Sequence, residues 1–503
     1  MIARITTVAP VGFEGAIVEV ECDAKKGLPS IQIVGMGTKS IDEAKERVRS
    51  AIANSLMEFP TKKLTINLAP ADITKEGTHF DLPIALAILV ISNQLRQSEV
   101  AGMAFAGELA LSGDIRPIRG AINIAQTAKE AGITQLFVPI ENANQAHLVS
   151  DIQVIGIRSL KELFLHLKGE VKINLYAPTV VKNSSKIRAG TLDDVHGQDQ
   201  AKRALTIAVA GRHNILLNGS PGAGKTMLAR TLLSLMPALT AEEQIAVTKL
   251  HSLAGEIDGE IITERPFRSP HHTASPVALI GGGPKARPGE ISLAHLGILF
   301  MDEIPEYPRS VLETLRQPLE DKRISITRAA ARTMYPADFM LVATMNPCPC
   351  GYFGDSTKEC ACSTTQILTY QKRLSGPLLD RIDMVITVSR VPNDTLIHQK
   401  TYDNKQHDQA LKLIKNAQIS QNNRYNSSKT YNSSLTSSDI KKYISMTADA
   451  KAVLSLASEK LNLSARSYFK IIKLAQTIAD LELSPIVEKN HISEALQYRG
   501  QTS

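Results

Sequence analysis

The sequence predicts an α/β protein: a phosphate-binding core with a helical lid, preceded by a separate α+β domain. Three observations predict it. The apolar run Ile215-Leu216-Leu217 is followed by a glycine-rich turn and then by the helix-spaced stretch Met227 to Leu233, the strand, loop and helix order that a phosphate cradle needs. Two further apolar runs, Gly297 to Met301 and Phe339 to Ala343, lead into polar residues suited to the same cradle. From Met1 to Leu167, short β-rich runs alternate with helical stretches, the pattern of an α+β unit.

With 503 residues and 43% hydrophobic content, the chain can bury sizeable cores and should divide into two to four domains. No long charge-free apolar span is present, and Met1 to Ile5 lacks the charged and apolar regions of a signal peptide, so a cytoplasmic protein without membrane contact is expected. The net charge of +7 permits a polyanionic partner. Of five cysteines, four crowd between Cys348 and Cys362, which suits a metal or reduced thiols rather than a secreted disulfide framework.

In chain order, the α+β domain is expected over residues 1–170. Ala16 to Val20, Leu64 to Leu68 and Gln135 to Pro139 read as strands, and Ser40 to Asn54 and Ile122 to Ala131 as helices. The segments Thr74 to Pro83 and Gly107 to Gly120 resemble the Lon-protease-like domain of the ribosomal S5 superfamily. Lon-type peptidases need a serine hydroxyl beside a lysine amine. Here the corresponding positions carry His79 and Ile122, so the resemblance implies a retained fold and a lost peptidase. Residues 171–190, polar and without helical period, read as a linker.

The core is expected over residues 191–390. Gly219, Ser220, Pro221, Gly222, Ala223, Gly224, Lys225 and Thr226 satisfy GxxxxGK[ST]: backbone N–H groups cradle the phosphates of ATP, Lys225 meets the β and γ oxygens, and Thr226 ligates Mg²⁺. Asp302 would hold the same Mg²⁺ and Glu303 would polarise the attacking water. Asn346, at the end of the third apolar run, would orient that water, or alternatively cap a turn.

Together with Thr191 to Gln198, which resembles an adenine-contacting segment, these motifs are similar to AAA+ ATPases. Ser375 to Asp383 resembles the arginine-finger motif of the AAA+ branch containing magnesium chelatase and the MCM helicases. There Arg381 would reach a neighbouring subunit's γ-phosphate, the alternative being a local ion pair with Asp380 or Asp383. Arg466, opening the helix that carries Ile471, Leu474, Ala475 and Ile478, resembles the sensor-2 arginine of a lid over residues 391–503. Within the lid, 404–438 is rich in Asn, Ser and Gln and reads as a mobile polar insertion.

Two insertions mark this branch. Arg268 to Gly289, with His271, His272, Lys285 and Arg287, suits a mobile pore loop, and the paired histidines lack the clustered partners of a metal shell. Asp321 to Arg328 and Ala331 to Tyr335 read as a hairpin whose Lys322, Arg323, Arg328 and Arg332 could track DNA phosphates. Cys348, Cys350, Cys360 and Cys362 form two close pairs able to close a tetrahedral Zn²⁺ shell.

Nearly the whole chain thus resembles the ComM/YifB family of magnesium-chelatase-like AAA+ ATPases. The resemblance implies an ATP-driven ring, a hexamer, that acts on single-stranded, duplex or branched DNA in branch migration during natural transformation, alongside recombination proteins. A chelatase-like remodeller of a protein partner in metal insertion is the rival reading, and an ATP-dependent protease a more distant one.

Overall fold

The computed structural model describes residues 2–35, 39–73, 75–176, 190–257, 259–283, 286–327, 332–355, 358–391 and 405–499. Lys285, Arg328 and residues 177–189 of the expected linker lie outside them.

The first domain is built on a seven-stranded sheet in the order Ser30–Val34, Lys63–Ala69, Glu14–Lys25, Ala3–Val11, Met103–Phe105, Gln135–Pro139, Gln153–Ile157. Alternation along the strands feeds two cores: Ile5 and Ala9 join one cluster, and Val8 the other. The helix Asp81–Ile91 is buried at every residue, as its uninterrupted apolar sequence requires. Its one charge, Asp81, is held by Arg47 Nε at 2.7 Å. Just before this helix, His79 is buried, and desolvation depresses its pKa to about 4. Ile122 is also fully buried, in the helix Ala121–Glu130.

The second domain carries a five-stranded parallel sheet in the order Phe267–Arg268, Ile298–Met301, Met340–Met345, Ile215–Asn218, Met384–Thr387. Each central strand divides its side chains between two cores. Ile215, Leu217, Ile298, Phe300, Met340 and Val342 face one; Leu216, Leu299, Met301, Leu341 and Ala343 face the other. Burial on both faces explains why these strands read as continuous apolar runs.

The lid helices Gln406–Tyr425 and Ala465–Leu481 pack into the first of these cores. This corrects the expectation of a mobile segment at 404–438. From Gln406 the chain forms a 20-residue helix whose Ala410, Ile414, Ala417, Gln421 and Tyr425 are buried. Its polar composition is used internally: Gln421 donates to the Ala210 carbonyl at 3.0 Å, and Arg424 pairs with Asp480, which also accepts from Asn432 at 2.9 Å. Buried polar groups with partners specify packing instead of solvating a loop.

The two domains meet along the helix Ala241–Ala254. Lys249, nearly fully buried, donates to Gln126 Oε1 at 3.0 Å and places Nζ 4.1 Å from the centre of the Phe13 ring. The Gly120 N–H donates to Ser252 Oγ at 3.0 Å. The turn holding Gly12 also abuts the hairpin of the second domain: a Cβ at Gly12 would lie 2.4 Å from Thr333 Cγ2. Among the described residues, no helix is long and apolar enough to cross a membrane.

Candidate nucleotide site and its surroundings

The phosphate loop leaves the strand Ile215–Asn218 beside the strand Met340–Met345, at the carboxyl ends of a parallel sheet, where ligands of such sheets bind. Gly222 and Gly224 take left-handed backbone angles, φ +78° and +88°, which turn the loop back over the start of the helix Lys225–Leu235. Lys225 is buried, and desolvation lowers its pKa against the opposing pull of Asp302 and Glu303. Its Nζ donates to the Ser220 carbonyl at 3.1 Å and to Asn346 Oδ1 at 2.9 Å. The loop, its lysine and the expected water-orienting asparagine are therefore one connected unit.

Thr226 Oγ1 lies 3.5 Å from Asp302 Oδ2. A hydroxyl and a carboxylate at the mouth of an anion cradle are the donor set that a phosphate-bound Mg²⁺ takes, so the residues present fit that ion. Glu303 follows on a left-handed backbone, φ +49°, a conformation that costs energy in a non-glycine residue and persists where neighbours enforce it. The enforcing neighbour is Thr344, which sequence reading misses because a threonine inside an apolar run looks like an ordinary strand residue. Its Oγ1 accepts from the Glu303 N–H at 2.8 Å and donates to Asp302 Oδ1 at 2.5 Å. Thr344→Val keeps the shape and removes both bonds, so it should lower kcat by roughly ten- to a hundredfold through misplaced carboxylates. ATP affinity should change much less. Steady-state turnover set against equilibrium ATP binding checks this, and an unchanged kcat would dismiss Thr344 as a positioning residue.

Arg381 lies away from this loop. Its guanidinium donates to the carbonyls of Arg316 at 3.1 Å and Pro377 at 2.6 Å, and pairs with Glu320 at 2.7 Å. The local partner is thus Glu320, on the helix Arg316–Asp321. Arg466, at the start of the helix capped by Ser464, closes on the same Glu320 carboxylate. Both arginines line a cavity of about 590 Å³ between core and lid, along with Lys470 and Asp338. No residue of Gly219 to Thr226 lines it. Arg466 and Arg381 therefore form one cationic pair on a face separate from the chain's own phosphate loop.

The expected hairpin forms from Arg323–Thr327 and Arg332–Pro336. Arg323 is exposed. Lys322 instead pairs with Asp338 at 3.2 Å and lines the same cavity. The insertion lies alongside: Arg287 sits in a strand paired with Gly281 and Gly282, and Tyr335 of the hairpin donates to the Ala286 carbonyl at 2.8 Å. Pro270 accepts from Tyr307 at 2.6 Å, which ties the start of the insertion to the segment just after Glu303. The rings of His271 and His272 meet at a tilt of 35°, centres 4.0 Å apart, and His271 Nδ1 bonds Thr273 Oγ1 at 2.8 Å.

Among the described residues, Cys348, Cys350, Cys360 and Cys362 form the one convergent group of metal-ligating side chains, with sulfurs within 4.8 Å of one another.

Three matches to ChlI-type families cover this architecture. "Magnesium chelatase, subunit ChlI" matches residues 191–396, "Subunit ChlI of Mg-chelatase" residues 20–142, and the ChlI C-terminal family residues 405–499. Competence protein ComM of Haemophilus influenzae is 41% identical over 99% of this chain and 97% of its own length. The chain belongs to the magnesium-chelatase ChlI family of AAA+ proteins. Within this AAA+ family, YifB of Escherichia coli is 38% identical over 99% of the chain and 96% of its own length. Lon protease 2 of Bacillus subtilis is 27% identical over 29% of the chain and 28% of its own length, a distant likeness. The ChlI C-terminal match takes in the 405–438 segment, which carries no family motif legible in the sequence alone.

Proposed function

We propose that this AAA+ protein is an ATP-driven DNA motor, a hexameric ring that promotes branch migration and heteroduplex extension during recombination of incoming DNA. The observation that carries the reading is the full-length likeness to a competence protein, first domain included. A basic hairpin set directly against the Gly-rich insertion supports it.

In this reading Gly219 to Lys225 bind the ATP phosphates, and Thr226 and Asp302 would hold Mg²⁺, which would supply charge neutralisation to the phosphates. Glu303 takes the proton of the attacking water and Asn346 orients it. Arg381, with Arg466 beside it, projects to the ATP of the adjacent subunit and stabilises charge developing there. The first domain, with buried His79 and Ile122 at the dyad positions, serves assembly or partner contacts and not peptide cleavage.

DNA is gripped by Arg323, Arg328 and Arg332 of the hairpin, with Lys285 and Arg287 of the insertion as a second grip. The test replaces Arg323, Arg328 and Arg332 by Ala, leaving Lys322 in place because Asp338 holds it. Removal of each arginine that meets a phosphate should flatten the salt dependence of DNA binding by roughly one unit of slope, with little dependence on base sequence. Branch migration on a synthetic junction should slow in parallel, and single-stranded, duplex or branched DNA should stimulate the wild-type ATPase. A variant with unchanged DNA affinity and slope, together with a DNA-indifferent wild-type ATPase, would shift the assignment to the chelatase-like remodelling of a protein partner.

A further inference from the structure

The segment from Cys348 to Cys362 has almost no apolar interior: only Cys348 and Gly351 are buried among its described residues, and Phe353 is half exposed. A stretch without a core needs another source of order. Its four cysteines are free thiols. The gaps from Cys348 Sγ to Cys350 and Cys360 Sγ are 3.4 and 3.6 Å, and that from Cys350 to Cys360 is 3.6 Å. These are far longer than a disulfide's roughly 2.05 Å. They approach the sulfur–sulfur spacing of about 3.8 Å that follows from a Zn–S bond of about 2.3 Å in a tetrahedron. Two backbone N–H groups already point at sulfur, from Cys350 to Cys362 Sγ at 3.4 Å and from Phe353 to Cys348 Sγ at 3.3 Å, the outer hydrogen bonding that steadies thiolate ligands.

This knuckle rests on the phosphate loop. Gly351, at φ +85°, sits so close to Pro221 that a Cβ there would lie 2.5 Å from the Pro221 Cδ. Arg390 donates to the Pro221 carbonyl at 2.8 Å, with its guanidinium 5.6 Å from the centre of the Tyr352 ring and 3.9 Å from Asp355. The knuckle begins two residues after Asn346, whose amide oxygen accepts from Lys225. The same short segment therefore touches the loop at Pro221 and anchors the residue that meets Lys225.

We propose that Cys348, Cys350, Cys360 and Cys362 bind a zinc ion, and that the metal-ordered knuckle braces the phosphate loop through Gly351 on Pro221, so that ATP turnover depends on zinc. The proposal rests on the ATPase reading of the site. Zinc orders the knuckle, the knuckle fixes Pro221 and Asn346, and these hold the cradle open for phosphate. Metal withdrawal would then disable the motor through Pro221 and Asn346, although none of the four cysteines meets ATP.

The test uses the full chain purified without added zinc: untreated wild type, chelator-treated wild type, the Cys360→Ser/Cys362→Ser double variant, and Gly351→Ala. Metal analysis should find about one zinc per chain in untreated wild type and in Gly351→Ala, and none in the other two. Hydrogen exchange across 219–224 should rise in all three altered samples, and ATP turnover should fall roughly ten- to a hundredfold. Gly351→Ala keeps the test decisive if the double variant fails to fold, because it disturbs the brace with the metal retained. Metal-free wild type with unchanged loop protection and turnover would overturn the proposal, as would iron in place of zinc or a Gly351→Ala chain indistinguishable from wild type. Wild type that carries zinc and loses loop protection on chelation, yet never hydrolyses ATP, would sink the ATPase reading and uphold the brace.

Discussion

With alanine at position 381, ATP turnover is expected to fall by roughly 10³-fold or more while ATP affinity stays within a few-fold of wild type. The asymmetry follows from where the charge is needed. A guanidinium contributed across a subunit boundary meets charge that develops only as the γ-phosphate leaves, so its loss is felt in the transition state and hardly in the bound ground state. The fold should tolerate the change, because Glu320 keeps its pairing with Arg466 and no carboxylate is left buried alone. Mixing subunits makes the test specific. Arg381→Ala and Lys225→Ala chains should each be inactive, whereas a mixture should recover activity at interfaces that join an intact loop to an intact arginine. A mixture no more active than its parts would place Arg381 outside the active site.

Glu303→Gln is expected to lower turnover by roughly 10²- to 10⁴-fold, the range for removing a general base, while retaining ATP. The substitution preserves size and leaves untouched the bond from the residue 303 N–H to Thr344, so the left-handed backbone should persist. The protein should then accumulate as an ATP-bound form holding DNA without moving it. Single-turnover hydrolysis beside nucleotide-retention measurements distinguishes this outcome from a folding defect, and hydrolysis at the wild-type rate would show that another group takes the proton.

The phosphate loop and the Asp302-Glu303 pair are legible in the sequence because their chemistry is local: a glycine turn between strand and helix, and acids at the end of an apolar run. Three of the five sheet strands are legible for the same reason. Of the other two, Phe267–Arg268 is only two residues long, and Met384–Thr387, as long as Ile215–Asn218, leads into no polar motif that would mark it; partners far along the chain define both. Thr344 is invisible in sequence because its role depends on two neighbours beyond the end of another strand. The helix Gln406–Tyr425 misleads because two of its five buried residues, Gln421 and Tyr425, carry polar groups, and only tertiary pairing, such as Gln421 with the Ala210 carbonyl, shows those groups to be interior. Lys322 and Arg323 look alike in sequence and both are exposed, yet Lys322 reaches Asp338 in an ion pair. Lys322 closes the helix Arg316–Asp321 in a left-handed conformation, φ +54°, whereas Arg323 opens the strand.

The turn at Gly12 and Phe13 sits where the first domain meets the second. On one side it bears on Thr333 of the hairpin, and on the other Phe13 meets Lys249 of the helix Ala241–Ala254. Close-packed surfaces of this kind transmit displacement because they have no slack. In the proposed motor, a hairpin displaced by ATP would press on that turn and, behind it, on the seven-stranded sheet. On that reading, a partner bound to the outer surface of the first domain would slow the motor.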